Sequence, residues 1–400
     1  MPDDAASSAP KPPKIATTLV RGGNMRSEWD ETSEALMLTS GYVYPDAETA
    51  AARMAGDEPG FVYSRYANPT VRMLETKLAQ IEGAEACRTA SSGMAAIHAS
   101  LVAPCQAGDR VVAAKALFGS CRWILENLLP RMGVETELVD GSDLDAWAQA
   151  LSKPTRLVLI ESPANPLLDG VDIAAVAELT HKAGGELIVD NVFATPLYQK
   201  PLELGADWIT YSATKHMDGQ GRVLGGAILG KQAAMEEIFD PYLRHTGPAL
   251  SAFNAWVLLK GLETMELRVD RQAANAATLA DTLADHPAVV EVRYPGRTDH
   301  PQYAIHKKQM GNGGTLLALS LKGGREAAFT MLNRLQLADI SNNLGDTKTL
   351  ATHPTTTTHR IMSEEERAAI GLDESWVRVS VGIEDVQDLA DDFMQALDGC

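Results

Sequence analysis

Cysteine is scarce in this chain of 400 residues. Four are present, Cys87, Cys105, Cys121 and Cys400, with no CxxC pair and no regular spacing. Disulfide frameworks and thiolate metal sites both need such spacing, so reduced thiols in the cytoplasm are expected. Positive charge is short as well. Lys and Arg number 35 against 53 Asp and Glu, a net charge of −18, and a polyanion would be repelled over most of the surface; nucleic acid is not an expected partner. No apolar run is long enough to suggest a membrane span. The opening stretch MPDDAASSAPKPPK is acidic and proline-rich without an apolar segment, so residues 1–14 read as a disordered arm and not as a signal peptide. Metal ligands are sparse too: His353 and His359 lie in a Thr-rich stretch with no third ligand at suitable spacing, and no metal is expected.

What is present is a globular composition, 45% hydrophobic and 22% charged, in a chain too long for one core. Residues 15–70 look irregular, with turn formers at Gly22-Gly23, Pro45, Pro59-Gly60 and Asn68-Pro69. An extended segment of that length usually wraps something or is functional. From about 71 to 230, within a large unit expected over 71–260, helix-like stretches alternate with apolar runs. The runs are Arg110–Ala113, Val134–Val139, Arg156–Ile160, Glu186–Asp190, Trp208–Ser212 and Gly226–Leu229. Such alternation predicts βαβ units around a largely parallel sheet. Residues 251–285 read as one long helix leading into a smaller α/β unit, 261–400, with strands at Val289–Tyr294, Thr315–Leu321 and Trp376–Val381.

Ligands of open α/β sheets collect beyond the carboxyl ends of the strands, and four polar clusters fall there or in the irregular segment. Ser91-Ser92-Gly93-Met94 opens a helix, where free amides attract phosphate; a plain Ser N-cap accounts for the same residues. Glu186–Asp190 is a buried strand ending in an acid. Such an acid can keep a pyridine nitrogen protonated and its ring an electron sink, or it can cap a helix or ligate a metal. Trp208–Ser212 runs directly into Ala213-Thr214-Lys215-His216. Ser212 and Thr214 can bind phosphate while Lys215 forms a Schiff base; a solvated surface lysine is the alternative. The glycines that follow, Gly219 and Gly221, are not a P-loop because the lysine precedes them. Tyr63 and Arg65, in Tyr63–Thr70, offer a hydroxyl and a guanidinium fork. Together the four suit pyridoxal phosphate, with Lys215 as its covalent attachment point and Asp190 as its ring partner.

These residues, with Glu161-Ser-Pro-Ala-Asn165-Pro166 and Arg378-Val-Ser-Val-Gly382, resemble the Cys/Met-metabolism family of pyridoxal-phosphate enzymes from about Thr17 to the C-terminus. The resemblance implies an aspartate-aminotransferase-like fold (fold type I): a mostly parallel seven-stranded large domain and a smaller C-terminal α/β domain. It implies Gly93, Met94, Ser212 and Thr214, next to Ser92, around the phosphate. Tyr63 and Arg65 would reach it from a neighbouring subunit of a homotetramer. Asn165 would meet the phenolic oxygen and Arg378 the substrate α-carboxylate. Three departures narrow the branch. Phe118 stands where most members have a stacked tyrosine, Gly219-Gln-Gly-Arg222 where many read Gly-His-Ser-Asp, and Asn342-Asn343-Leu344-Gly345-Asp346 where Ser-Leu-Gly is usual. The combination resembles the O-succinylhomoserine sulfhydrylase branch, which implies acylated homoserine and sulfide as substrates, with Asn343 and Arg222 near them. Arg222 is left with two readings, a contact to the acyl carboxylate or a brace for the cofactor loop. Cystathionine γ-synthase, O-acetylhomoserine sulfhydrylase and the γ-lyases share the scaffold.

Overall fold

The computed structural model describes residues 13–400; of the arm expected over 1–14, residues 1–12 lie outside the described residues. Period-2 burial builds the large sheet. In β2 (Arg110–Ala114) Val111 and Ala113 point to one core while Val112 and Ala114 point to another. In β4 (Leu157–Glu161) Leu157 and Leu159 face the first, Val158 and Ile160 the second. Strands covered on both faces must read as continuous apolar runs, and these do. With β1 (Ala86–Ala90), β3 (Glu135–Val139), β5 (Glu186–Asp190), β6 (Trp208–Ser212) and β7 (Gly226–Gly230) they form a seven-stranded sheet in the order β1-β7-β6-β5-β4-β2-β3. Only β7 runs against its neighbours, so the carboxyl ends of β2, β4, β5 and β6 share one edge.

The second sheet has five strands, β8 (Val289–Arg293), β9 (Leu316–Leu321), β10 (Asp339–Ile340), β11 (Leu350–Thr352) and β12 (Trp376–Ser380), ordered β10-β11-β12-β9-β8 and mostly antiparallel. Its core packs Leu279 and Leu283 of helix Met265–Ala284, Met331 of helix Gly324–Arg334, and Leu389 and Phe393 of helix Val386–Leu397 on one face. The architecture is that of the fold type I enzymes.

Three expectations are corrected. The segment 15–70 holds two helices, Ile15–Arg21 and Ala47–Ala55. The second was hidden because its local signals are short: Asp46 caps it by accepting the Thr49 N–H at 2.7 Å, and Gly56, at φ 86°, ends it. The single helix expected over 251–285 is two, Ala252–Glu263 and Met265–Ala284, broken at Thr264. β1 was not expected because Ala-Cys-Arg-Thr-Ala lacks strand-forming apolar residues. Register with β7 holds it instead, and buried Arg88 is paired with Asp240 at 2.7 Å. The irregular part of the N-terminal segment is also tied down: Glu34 forms ion pairs with Lys260 and with Lys77, and the Trp256 indole donates to its carbonyl at 2.9 Å.

Candidate active site

Glu161, Asp190 and Ser212 are the last residues of β4, β5 and β6. Register places Glu161 opposite Asp190, and Asp190 opposite Thr210. Chain continuity therefore delivers two acids, a hydroxyl and, three residues on, Lys215 to one edge. A cavity of about 270 Å³ opens there. Its walls include Ser92, Gly93, Met94, Phe118, Asn165, Asp190, Ser212, Thr214, Lys215 and Arg378. Arg378 comes from β12, so the small sheet closes the cavity.

Lys215 is partly buried and its Nζ donates to the Asn343 Oδ1 at 2.6 Å. Burial, with the Arg378 charge added, holds the amine down to about 8. Burial pushes Asp190 up to about 6, opposed only by the Val192 N–H at 3.1 Å. Arg378 is 2% exposed. Its Nη1 donates to the Asn165 Oδ1 at 2.9 Å and its Nη2 to the Asn342 and Asn343 carbonyls at 3.0 and 3.3 Å, while Nε has no partner. Burial draws its pKa down to about 10, with Glu161 opposing.

The phosphate end can be tested against the residues present. Ser92 caps helix Gly93–Val102, accepting the Ala95 N–H at 3.2 Å, so the N-cap reading and a place on the cavity wall hold together. A Cβ on Gly93 would stand 2.6 Å from the Ser212 Cβ, so only glycine allows that helix start to approach Ser212. A helix N-terminus beside two hydroxyls, an acid for a ring nitrogen, an aromatic wall and an amine kept close to neutral fit pyridoxal phosphate.

Other candidates lie elsewhere. Tyr63 and Arg65 are not on this cavity's walls; Arg65 packs on the rings of Tyr63 and Tyr66 and donates to the Arg244 carbonyl. Arg222 is also off the wall. Its Nε and backbone N–H donate to buried Asp218 at 2.9 and 2.6 Å, the contact that the bracing reading expects. Asn343 touches the site through Lys215. Sequence reasoning gave no site role to Glu161, Cys121, Asn342 or Thr358, all on the wall, although Glu161 and Asn342 stand in motifs it quoted. For Glu161 a signal existed, since it ends a buried strand as Asp190 does. For Thr358, on a loop far along the chain, there was none. Among the described residues no three His, Cys, Asp or Glu side chains gather as a metal ion would require, and no helix is long and apolar enough to cross a membrane.

An α/β sheet carrying a strand-terminal acid, a lysine of lowered pKa and a buried guanidinium at one edge defines an enzyme of the lysine–pyridoxal class. Residues 16–398 match the Cys/Met metabolism PLP-dependent enzymes. The chain is 53% identical to an O-succinylhomoserine sulfhydrylase of Mycobacterium tuberculosis, covering 99% of this chain and 100% of that one. It is 45% identical to an O-succinylhomoserine sulfhydrylase of Pseudomonas aeruginosa over 95% and 94%. A putative O-acetylhomoserine (thiol)-lyase of Campylobacter jejuni, solved with N'-pyridoxyl-lysine-5'-monophosphate, superposes with a TM-score of 0.91 at 29% identity, covering 96% and 99%. The chain belongs to the Cys/Met metabolism family of PLP-dependent enzymes.

Proposed function

We propose that this enzyme performs γ-replacement, converting O-succinylhomoserine and sulfide to homocysteine and succinate, in the cytoplasm and as a homotetramer built from dimers. The observation that carries the reading is the Lys215 amine, its pKa lowered by burial, in the cavity that Asp190 and Arg378 also line. The whole-length likeness to the Mycobacterium tuberculosis sulfhydrylase supports the choice of acyl ester and nucleophile.

Bound pyridoxal phosphate supplies an aldehyde that condenses with amines and a protonated ring that accepts electrons. Gly93, Met94, Ser212 and Thr214 would hold its phosphate, Asp190 would meet its ring nitrogen, Asn165 its phenolic oxygen, and Phe118 would cover the ring. Tyr63 and Arg65, exposed on the N-terminal segment, reach the phosphate of a neighbouring subunit. Arg378 receives the substrate α-carboxylate, to which it offers a guanidinium whose Nε is otherwise unpartnered. Lys215 removes the Cα proton and then a Cβ proton, and returns both after succinate has left Cγ and sulfide has joined it. Phe118 cannot carry a proton, so this duty rests on Lys215. Asn343 accepts the lysine's hydrogen bond and aims the amine.

The test offers sulfide, cysteine and water in parallel with the succinyl and acetyl esters of homoserine. Homocysteine and succinate as the dominant products support the reading. Dominant cystathionine, or a 2-oxo acid with ammonia, overturns it in favour of a γ-synthase or a γ-lyase.

A further inference from the structure

Glu161 has no part in the chemistry above, yet it is among the most constrained groups of the site. It is 4% exposed and on the cavity wall, and the one cation whose charge reaches it, Arg378, forms no salt bridge with it and spends its hydrogen bonds on Asn165, Asn342 and Asn343 instead. A buried carboxyl without a salt-bridge partner is costly to keep. Asp190, its register neighbour on β5, makes the position still less favourable for a charge: burial first, and Asp190 next, push Glu161 well above the usual carboxylate range.

Its two oxygens are divided between two loops. Oε2 accepts the Phe118 N–H at 3.0 Å, from the loop that follows β2. Oε1 accepts the Asn165 N–H at 2.9 Å, from the loop that follows β4. Asn165 in turn accepts from Arg378, Arg378 donates to the Asn343 carbonyl, and the Asn343 side chain accepts from Lys215. One carboxyl thus begins a hydrogen-bonded chain that runs from the aromatic wall, through the small sheet's guanidinium, to the reactive amine.

We infer that Glu161 is a positioning residue, whose carboxyl fixes the Phe118 loop relative to the Asn165–Arg378 pair and so sets where an amino acid's α-carboxylate is received. The inference rests on the proposed place of Arg378 as the carboxylate receiver. In Glu161→Gln the shape is kept, but the amide nitrogen would confront one of the two backbone N–H groups and that loop would lose its acceptor.

The experiment uses the cofactor-loaded enzyme and two probes without a γ leaving group, norvaline and butylamine, which differ only by the carboxylate. Binding is followed by the change in visible absorbance. Glu161→Gln is expected to weaken norvaline about tenfold, leave butylamine within about twofold, and reduce visible circular dichroism per bound cofactor, since misplacement of a positioning group is felt at the reacting centre. Glu161→Asp, which keeps both acceptor oxygens on a shorter stem, should show the same split in smaller measure and serves if the Gln variant fails to fold. Equal effects on both probes, or an unchanged dichroism with only a lower melting temperature, overturn the inference. A wild-type enzyme that binds norvaline no better than butylamine refutes instead the role given to Arg378. A wild-type enzyme that makes no homocysteine refutes the proposed reaction and leaves the probe comparison readable.

Discussion

The Lys215 amine and the Asn343 side-chain oxygen meet at 2.6 Å although 128 residues separate them. The first leaves the large sheet at the end of β6 and the second hangs from the loop between β10 and β11, so the two sheets are joined at the reactive group. Asn343 also gives its carbonyl to Arg378, so the loop between β10 and β11 touches both the amine and the guanidinium.

Lys215→Ala should abolish the visible absorbance above about 400 nm that a lysine-bound pyridoxal cofactor gives and lower turnover by at least about 10³-fold. Absorbance spectroscopy and a homocysteine assay check both. The buried amine has a second consequence in the cofactor-free protein. Its folded pKa, about 8, lies below the unfolded value of roughly 10.4. Between these the unfolded chain binds more protons, so stability rises with pH through that window. Lys215→Met should flatten this rise in a comparison of melting temperature at pH 7.5 and 10.

Asp190 has the opposite sign. Its folded pKa is raised to about 6 from an unfolded value near 3.9, so the folded cofactor-free protein holds the extra proton and this group's contribution to stability falls as pH rises from about 4 to 6. Asp190→Asn should remove that component of the pH dependence in denaturant titrations. In the loaded enzyme the same change should reduce kcat by about 10²-fold or more, because an amide cannot keep the ring nitrogen protonated.

Gly93→Ala places a methyl 2.6 Å from the Ser212 Cβ and 2.8 Å from its Cα. Either the helix start or the end of β6 must give way, at about 1–3 kcal/mol. Cofactor affinity should fall by about 5- to 150-fold, the same free energy expressed as binding, while the far-ultraviolet circular dichroism stays that of the wild type. Equilibrium dialysis of the cofactor is the measurement.

Arg222→Ala separates the two readings of that residue. Its side chain is paired with Asp218, which is wholly buried, and removing it should cost about 1–3 kcal/mol by leaving the carboxylate short of a partner. The melting temperature is expected to drop, and the ratio of kcat/KM for succinyl over acetyl ester to stay unchanged. A collapse of that ratio would move Arg222 into the substrate site.

Periodicity alone determined most of the large sheet, because its central strands β2, β4, β5 and β6 are buried on both faces and their apolar runs end abruptly where the sheet ends. The same rule made Asp190 and Lys215 legible: an acid, or a lysine behind hydroxyls, that follows such a run stands at the carboxyl edge wherever the strand lies. Strand order, the β1 edge and the break at Thr264 depended on partners distant in sequence, and local pattern carries no distance between elements. Only the tertiary structure decided that β4 lies beside β5, which brings Glu161 against Asp190, and that β12 carries Arg378 to the edge where Lys215 emerges. It likewise turned Arg222 onto Asp218, since a buried carboxylate four residues away is a stronger claim on a guanidinium than an open cavity.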